Sequence, residues 1–286
     1  MIRIIDGTAY EGKYGSRINV KAHDLGNGHL EFSGVRNTDW AELDWSALAI
    51  EHYLEAVARD KEERVEELAQ KRLNIAAGHA KRRVRRLCKA MGVNTLLTLT
   101  YRANVVDLAR CKADLKEFVR RLKRVLPDFR AVCCFERQER GAWHVHLATI
   151  RFPGVLAARN GVKVKSFNVI RAVWRSVTKD NGGNVDVSNT KRGASRSSAK
   201  IAAYIAKYIS KAFQEGEAGS NRWTKFGNCD LPAPVDLGSF GTMHEVVSAC
   251  YALVDQCASV VDQHLSRWDD WFFLIIEKQL SGSTPA

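Results

Sequence analysis

Residues 134–146 read CFERQERGAWHVH, and this stretch decides the fold of the middle of the chain. Apolar residues flank a polar turn that is centred on Arg140 and Gly141. Such a pattern is typical of two antiparallel strands joined by a short loop, and it predicts strands over residues 129–137 and 142–150. The hairpin therefore predicts an antiparallel sheet.

The segments around the hairpin extend that sheet and cover it with helices. A Leu/Thr run at 94–102 and the alternating stretch 184–188 predict two more strands. Amphipathic patterns predict helices over 104–126 and 166–178, and a last helix carries residues 204–211. The order βαββαβα differs from the repeated βαβ units of a doubly wound fold. It favours an α+β class, an antiparallel sheet with flanking helices.

A candidate metal site lies on the predicted hairpin. His144 and His146 are two residues apart on one strand, so both imidazoles face the same side of the sheet. Glu136 joins them on that face if the loop has three residues, 139–141, whereas a four-residue loop turns its carboxylate to the other face. Two imidazoles and a carboxylate suit a divalent cation, Mg²⁺ or Mn²⁺ as well as Zn²⁺. Surface or core histidines are the alternative.

A repeated unit, YIAKYISK, occupies residues 204–211. On a helix its two tyrosines, Tyr204 and Tyr208, stack on one face because they are four residues apart. Lys207 and Lys211 each follow a tyrosine by three residues. Isoleucines recur at the same spacing and predict a second, core-facing side of this helix, so packing explains part of the pattern.

Both ends of the chain are predicted to be helical extensions. The segment from Asp39 to Ala77 contains neither Gly nor Pro, and Asp39 with Glu42 resembles a capping box. This predicts one long helix that could break at Gly78, and the basic residues 81–89 continue it.

The C-terminal helix is expected to begin at Thr242, with Glu245 completing a second capping box. Apolar residues then step by four and three from Met243 to Ile275, as in a heptad seam. The seam would either form a homodimer through the C-terminal helix or fold back onto the body of the protein. Its His and Trp residues favour folding back.

Charge is distributed unevenly along the 286 residues, whose net charge is +12. Residues 71–130 contain 17 Lys and Arg against 4 Asp and Glu, and residues 229–286 contain 2 against 8. A basic segment of this kind predicts a polyanionic partner, most simply nucleic acid, with a solvated basic face as the alternative. The basic helices 71–89 and 105–124 are the candidates for gripping it.

Together these features divide the chain into three expected domains. Residues 1–93 form an N-terminal segment with the long helix and the basic stretch, residues 94–215 carry the sheet and the candidate site, and residues 216–286 form an acidic helical extension.

Several classes of protein are disfavoured. The seven cysteines contain no CxxC pair, which suggests neither a disulfide framework nor a Cys-rich zinc site and fits a reducing cytoplasm. The start of the sequence lacks a signal-peptide pattern, and the longest apolar run, 272–276, is too short to cross a bilayer. A GxxxxGK[ST] phosphate loop is absent, so unwinding of DNA is left to a helicase from the host.

Three motifs resemble a known family when they are taken together and in order. LLTLTY (96–101), HVHL (144–147) and YIAKYISK (204–211) are similar to motifs one, two and three of the HUH endonucleases. The paired tyrosines place the chain nearer to the two-tyrosine group, which includes the replication-initiator A proteins of small phages and their plasmid relatives. The resemblance covers residues 94–211 and leaves both ends without support.

The resemblance implies an HUH/RRM-like palm, with His144 and His146 on a central strand and the tyrosines on an adjacent helix. It implies a replication initiator that nicks single-stranded DNA at an origin, with Tyr204 or Tyr208 as nucleophile. The products are a 5′-phosphotyrosine and a free 3′-hydroxyl, and the reverse reaction rejoins ends. Lys207 and Lys211 would assist, and a divalent ion on His144, His146 and Glu136 would activate the phosphate.

Two other functions stay open at this point. A two-tyrosine transposase would use the same chemistry, and a nucleic-acid-binding module without catalysis would use the sheet as a platform. Trp143 and Arg137, next to the site in sequence, are candidates for stacking or clamping bases, with ordinary surface residues as the alternative.

Overall fold

The computed structural model describes residues 1–157, 161–189, 198–214, 222–254, 256 and 258–278, and of residues 210–214 it describes the backbone alone. Two compact units make up the chain. The central unit is Arg72–Leu231, and the terminal unit combines Met1–Lys71 with Pro232–Ala286. The expected domain 94–215 thus lies inside the central unit, which also takes in residues 72–93 and 216–231.

The described residues form helices and strands in similar measure, which confirms the α+β class. The strands are β1 (Ile2–Ile5), β2 (Thr8–Gly26), β3 (His29–Leu43), β4 (Thr95–Tyr101), β5 (Ala131–Arg137), β6 (Trp143–Thr149), β7 (Val155–Ala157), β8 (Lys163–Lys165), β9 (Gly183–Asn189), β10 (Trp223–Phe226), β11 (Val235–Phe240), β12 (Ala258–Leu265) and β13 (Trp271–Lys278). The helices are α1 (Ala47–Glu63), α2 (Val65–Ala90), α3 (Leu108–Leu122), α4 (Ser166–Thr178), α5 (Ser198–Gln214) and α6 (Met243–Ala252), and a 3₁₀ turn follows α4 at Lys179–Asn181.

The central unit is built on a five-stranded antiparallel sheet in the order β10–β5–β6–β4–β9. The predicted strands of the hairpin, the Leu/Thr run and residues 184–188 are confirmed to within two residues at each end. β6, which carries both histidines, is the middle strand. Its side chains therefore have neighbours on two sides, a position that fixes their orientation.

Helices cover both faces of this sheet. On one face, α3 and α4 pack with residues such as Phe118 and Trp174 against Leu97 and Val145. On the other, α5 and the C-terminal part of α2 pack against Leu96, Val132, Cys134 and Ala148, with helix residues Val84, Leu87, Ile201, Ile205 and Ile209. Burial of an isoleucine side chain contributes about 1.5–3 kcal/mol, so the three isoleucines hold α5 firmly on the sheet.

The terminal unit has its own sheet, in the order β1–β2–β3–β13–β12, and β11 pairs with the far part of β2. One face packs against α6, where Val246 and Cys250 meet Ile18, Phe32 and Leu274. Gly34 is one of the sheet residues under this helix, and a Cβ there would lie 3.3 Å from Val246 Cγ1. Segments more than two hundred residues apart in sequence therefore share one core.

The N-terminal helix begins later than predicted. Asp39 belongs to β3 and pairs with Lys13 in the sheet, so the expected capping box at Asp39 is wrong. The N-cap of α1 is Ser46, whose hydroxyl accepts a hydrogen bond from the amide of Ala49. The helix breaks at Arg64, and Gly78 lies inside α2. The continuation through residues 81–89 is confirmed.

The prediction of a continuous C-terminal helix is wrong. The capping box of Thr242 and Glu245 is present, but α6 ends at Ala252, and β12 and β13 follow. The four-and-three spacing of apolar residues does not distinguish a helix from strands that are buried against a distant partner, here β3. A homodimer through such a helix loses its structural basis. No described helix has the length and apolar composition needed to cross a membrane.

Candidate active site

The hairpin brings Glu136 and His144 to directly opposite positions. The register pairs Glu136 with His144 and Cys134 with His146. The amide of Gln138 donates to the carbonyl of Ala142, which leaves residues 139–141 as a three-residue loop. Gly141 closes the loop with a φ of 86°, a left-handed conformation that favours glycine. All three candidate ligands consequently share one face of the sheet.

His146 is held from both sides. Its Nε2 lies 2.8 Å from Glu136 Oε2, and its Nδ1 lies 3.1 Å from Thr98 Oγ1 on β4. The ring is 5% exposed. Two partners fix the plane and position of this imidazole, and Thr98 is the contribution that the sequence left undefined.

His144 lies beside this pair with a nitrogen that is not used within the described residues. Its Nε2 is buried and has no hydrogen-bond partner there. Burial, and next the neighbouring His146, lower the pKa of His144, which keeps the imidazole neutral. A buried polar atom without a partner costs free energy, and a neutral imidazole is the form that binds a metal ion.

α5 places both tyrosines over the histidine face. The ring of Tyr208 stacks on His146 with a centroid distance of 4.3 Å and an angle of 16°, and Tyr204 meets the same imidazole edge-on at 6.1 Å. The Tyr208 hydroxyl donates to the Tyr204 hydroxyl at 2.6 Å. Tyr204 is 42% exposed, so a substrate can reach its phenol.

The surroundings keep Tyr208 protonated in this arrangement. Burial, the hydrogen bond with Tyr204 and the charge of Glu136, in that order, raise the pKa of Tyr208 well above its usual value. A phenolate at this position therefore needs positive charge nearby. Lys207 is exposed on α5 between the two tyrosines, and the side chain of Lys211 lies outside the described residues.

The donor set of Glu136, His144 and His146 fits a divalent cation in kind, although it is not a finished cage. Among the described residues, no group of three His, Cys, Asp or Glu side chains is already arranged to hold an ion. Glu136 bonds to the ring nitrogen of His146, so coordination would replace that hydrogen bond. The unused Nε2 of His144 on the same face supports the fit.

Two residues near the site in sequence belong to the other face. Trp143 is buried in the core under α3 and α4, and its Nε1 donates to the carbonyl of Val106. Arg137 lies opposite Trp143 in the register and therefore shares that face. The suggestion that Trp143 stacks on bases at the site is wrong, because side chains alternate along a strand.

Asp186 is a residue on the site face that sequence reasoning missed. It lies opposite Thr98 on β9, in the same cross-sheet row as His146, and it is exposed. The alternation of the NVDVS stretch was the available signal, since it separates Asp186 from the buried Val185.

With this geometry established, the comparisons with known proteins concern the same part of the chain. Residues 94–213 match the model of a family described as the replication-associated protein ORF2 family. The match spans 120 of the 286 residues and runs from β4 to α5, so it includes every candidate site residue. It supports a replication-initiator family for this segment. Neither a curated protein nor a solved structure matches the chain.

Proposed function

We propose that the protein starts DNA replication by nicking a single strand at an origin, with Tyr204 or Tyr208 as the nucleophile. The observation that carries the proposal is the position of the two phenols over His146. Their oxygens are 2.6 Å apart and the Tyr208 ring lies 4.3 Å from the imidazole. Packing alone would not require two phenol oxygens to meet above a row of potential metal ligands. The replication-associated family that residues 94–213 match fits this function.

The reaction is a transesterification. The phenolic oxygen forms a bond to phosphorus, the bond between phosphorus and the 3′-oxygen breaks, and the phenol proton ends on that oxygen. The products are a 5′-phosphotyrosine and a free 3′-hydroxyl, which a polymerase can extend. Because the covalent link retains the energy of the broken ester, the step also runs backwards and rejoins ends.

Glu136, His144 and His146 would hold a divalent ion, Mg²⁺ or Mn²⁺. Bound there, the ion withdraws charge from a non-bridging phosphate oxygen and lowers the pKa of a nearby phenol. The protein's own contribution is orientation, since Thr98 and Glu136 fix His146 and the isoleucines of α5 fix the tyrosines. Lys207 and Lys211 would stabilise the developing charge or bind an adjacent phosphate.

Two nucleophiles on one helix suit a reaction that cuts twice. One tyrosine holds the first end while the other attacks the regenerated origin, and the roles then alternate. The short distance between the phenol oxygens allows both to address the same phosphate position.

The partners follow from the same proposal. The strand would be gripped mainly by α2, whose Lys81, Arg82 and Arg83 are exposed. In α3 the two C-terminal arginines, Arg120 and Arg121, are already bound to Glu117. A helicase of the host would supply unwinding, and the reaction would take place in the host cytoplasm.

The test is incubation with circular single-stranded DNA of the source replicon and Mn²⁺. We expect a covalent adduct that mass spectrometry maps to Tyr204 or Tyr208, and its loss in the Y204F/Y208F double variant. Tyr14→Phe, which changes an exposed tyrosine of the terminal unit, should leave the adduct unchanged. Binding without any adduct would leave a non-catalytic module. Cleavage at element termini in place of an origin would indicate a transposase.

A further inference from the structure

A cavity of about 580 Å³ opens at the other end of the central sheet. The candidate active site lies where Glu136 pairs with His144, and the cavity lies where Ala131 pairs with Thr149. Five residues of β5 separate the two positions, which corresponds to about 17 Å along the strand. The volume is in the usual range for a small-ligand site.

Two parallel phenylalanines form part of the wall. The rings of Phe129 and Phe152 are stacked, with centroids 6.2 Å apart and planes at 11°. Phe129 is buried, whereas Phe152 is only partly buried. A partly open aromatic ring next to a buried parallel one is a surface on which a nucleobase can continue the stack, and such stacking contributes about 1–3 kcal/mol per base.

Positive charge lines the same cavity. Arg130 and Arg151 both contribute to the wall, and Arg151 is exposed. Arginine is the side chain best suited to phosphate, because its planar fork can donate two parallel hydrogen bonds. The amide of Asn228 and the carboxylate of Asp128 are also at the wall, and both are groups that can pair with base edges.

The cavity is held open by contacts of its own walls. The amide of Arg151 donates to Asn94 Oδ1, and Thr149 Oγ1 donates to the carbonyl of Arg130. Gly227 lets the chain after β10 approach closely, since a Cβ there would lie 2.8 Å from Arg130 Cβ. A preformed site loses little conformational freedom on binding.

We propose that this cavity binds one nucleotide of the same DNA strand that the tyrosines cut, with its base on Phe152 and its phosphate on Arg130 and Arg151. The identity of the strand rests on the proposed function; the nucleotide chemistry of the cavity does not. Nucleotides in a strand are at least about 3.4 Å apart, so the bound nucleotide is separated from the scissile phosphate by about five positions or fewer. The cavity would thus fix the register of the strand in the active site.

Photo-crosslinking tests the position directly. The probe is single-stranded DNA with 5-iododeoxyuridine at one position per oligonucleotide, and adducts are mapped by mass spectrometry. We expect one position within about five nucleotides of the cut to give an adduct at Phe152 or Phe129. Adducts only around α5 and β6, with none in residues 126–130 or 149–153, would overturn the proposal even if nicking proceeds.

Variants separate the base contact from the phosphate contact. Phe152→Leu keeps an apolar side chain without a π-face, and we expect it to weaken binding of this DNA at least about fivefold with an unchanged salt dependence. Arg151→Ala should weaken binding and reduce the slope of log affinity against log salt by about 1. Lys163→Ala, which removes an exposed cation of the same unit, should change neither quantity.

Two outcomes distinguish this inference from the proposed function. If the Tyr204 and Tyr208 variants leave nicking intact but Phe152 still crosslinks, the cavity stands as a nucleotide site and the assigned chemistry fails. If deoxynucleoside 5′-monophosphates bind the cavity while the strand never crosslinks there, a free nucleotide is the ligand and the present inference is wrong.

Discussion

His146 is the residue on which the geometry of the site depends. One ring nitrogen meets Glu136, the other meets Thr98, and the face of the ring supports Tyr208. Partners of this kind orient metal-ligating imidazoles and select their tautomer. A change at Thr98 should therefore act on the metal and on catalysis without touching either directly.

We predict that Thr98→Val weakens Mn²⁺ binding and slows nicking by about tenfold or more, because the imidazole loses the partner of its Nδ1. The measurements are calorimetric titration with Mn²⁺ and single-turnover adduct formation. Thr100→Val is the matched control on the same strand, since the Thr100 hydroxyl donates to the carbonyl of Asn184 and not to a site residue. Equal losses in both variants would indicate a general effect on the strand.

At this scale the sequence predicted a great deal. The shared face of His144 and His146 follows from alternation alone, and the position of Glu136 followed once the loop length was known. The same alternation should have placed Trp143 with the buried Val145, on the opposite face. The bond between Thr98 and His146 depends on the pairing of β4 with β6, which no local pattern specifies.

Among the elements, the hairpin and α2 each contain a glycine with a different structural role. Gly141 has a φ of 86° in the loop that sets the register of the ligands. Gly78 is in the interior of α2, and the space where a Cβ would be added is open. The first conformation is unfavourable for alanine, whereas the second is the one that alanine prefers.

We predict that Gly141→Ala lowers the free energy of unfolding of the central unit by about 1 kcal/mol, and that Gly78→Ala raises it by up to about 1 kcal/mol. Urea denaturation followed by circular dichroism measures both changes. Since both residues lie in the same unit, the two variants can be compared on one transition. A stabilising Gly141→Ala would contradict the left-handed conformation of this loop.

The elements also show where sequence patterns fail. In the hairpin the turn residues and both strands lie within about twenty residues, so local signals suffice. β13 is buried because it pairs with β3, from which it is separated by most of the chain. Its apolar residues fit a helical spacing equally well, and only the distant partner decides between strand and helix.

For the whole molecule, the division into two units has a direct consequence for stability. The terminal unit is discontinuous, and residues 232–278 supply β11, α6, β12 and β13 to a sheet that begins at the other end of the chain. The central unit is continuous and contains every candidate site residue. Its basic residues from 72 to 130 also place most of the positive charge on the unit that would contact DNA.

We predict that a chain ending at Leu231 keeps a folded central unit and loses the fold of residues 1–43. The truncation removes six buried side chains from the terminal core: Met243, Val246, Cys250, Phe272, Leu274 and Ile276. At about 1.5 kcal/mol each this amounts to about 9 kcal/mol, which is comparable to the whole stability of a small domain. Hydrogen exchange measured by mass spectrometry should show protection lost in β2 and β3 and retained in β5 and β6. Protection retained in β2 and β3 would mean that the N-terminal strands fold without β13, and that the two ends of the chain do not depend on each other.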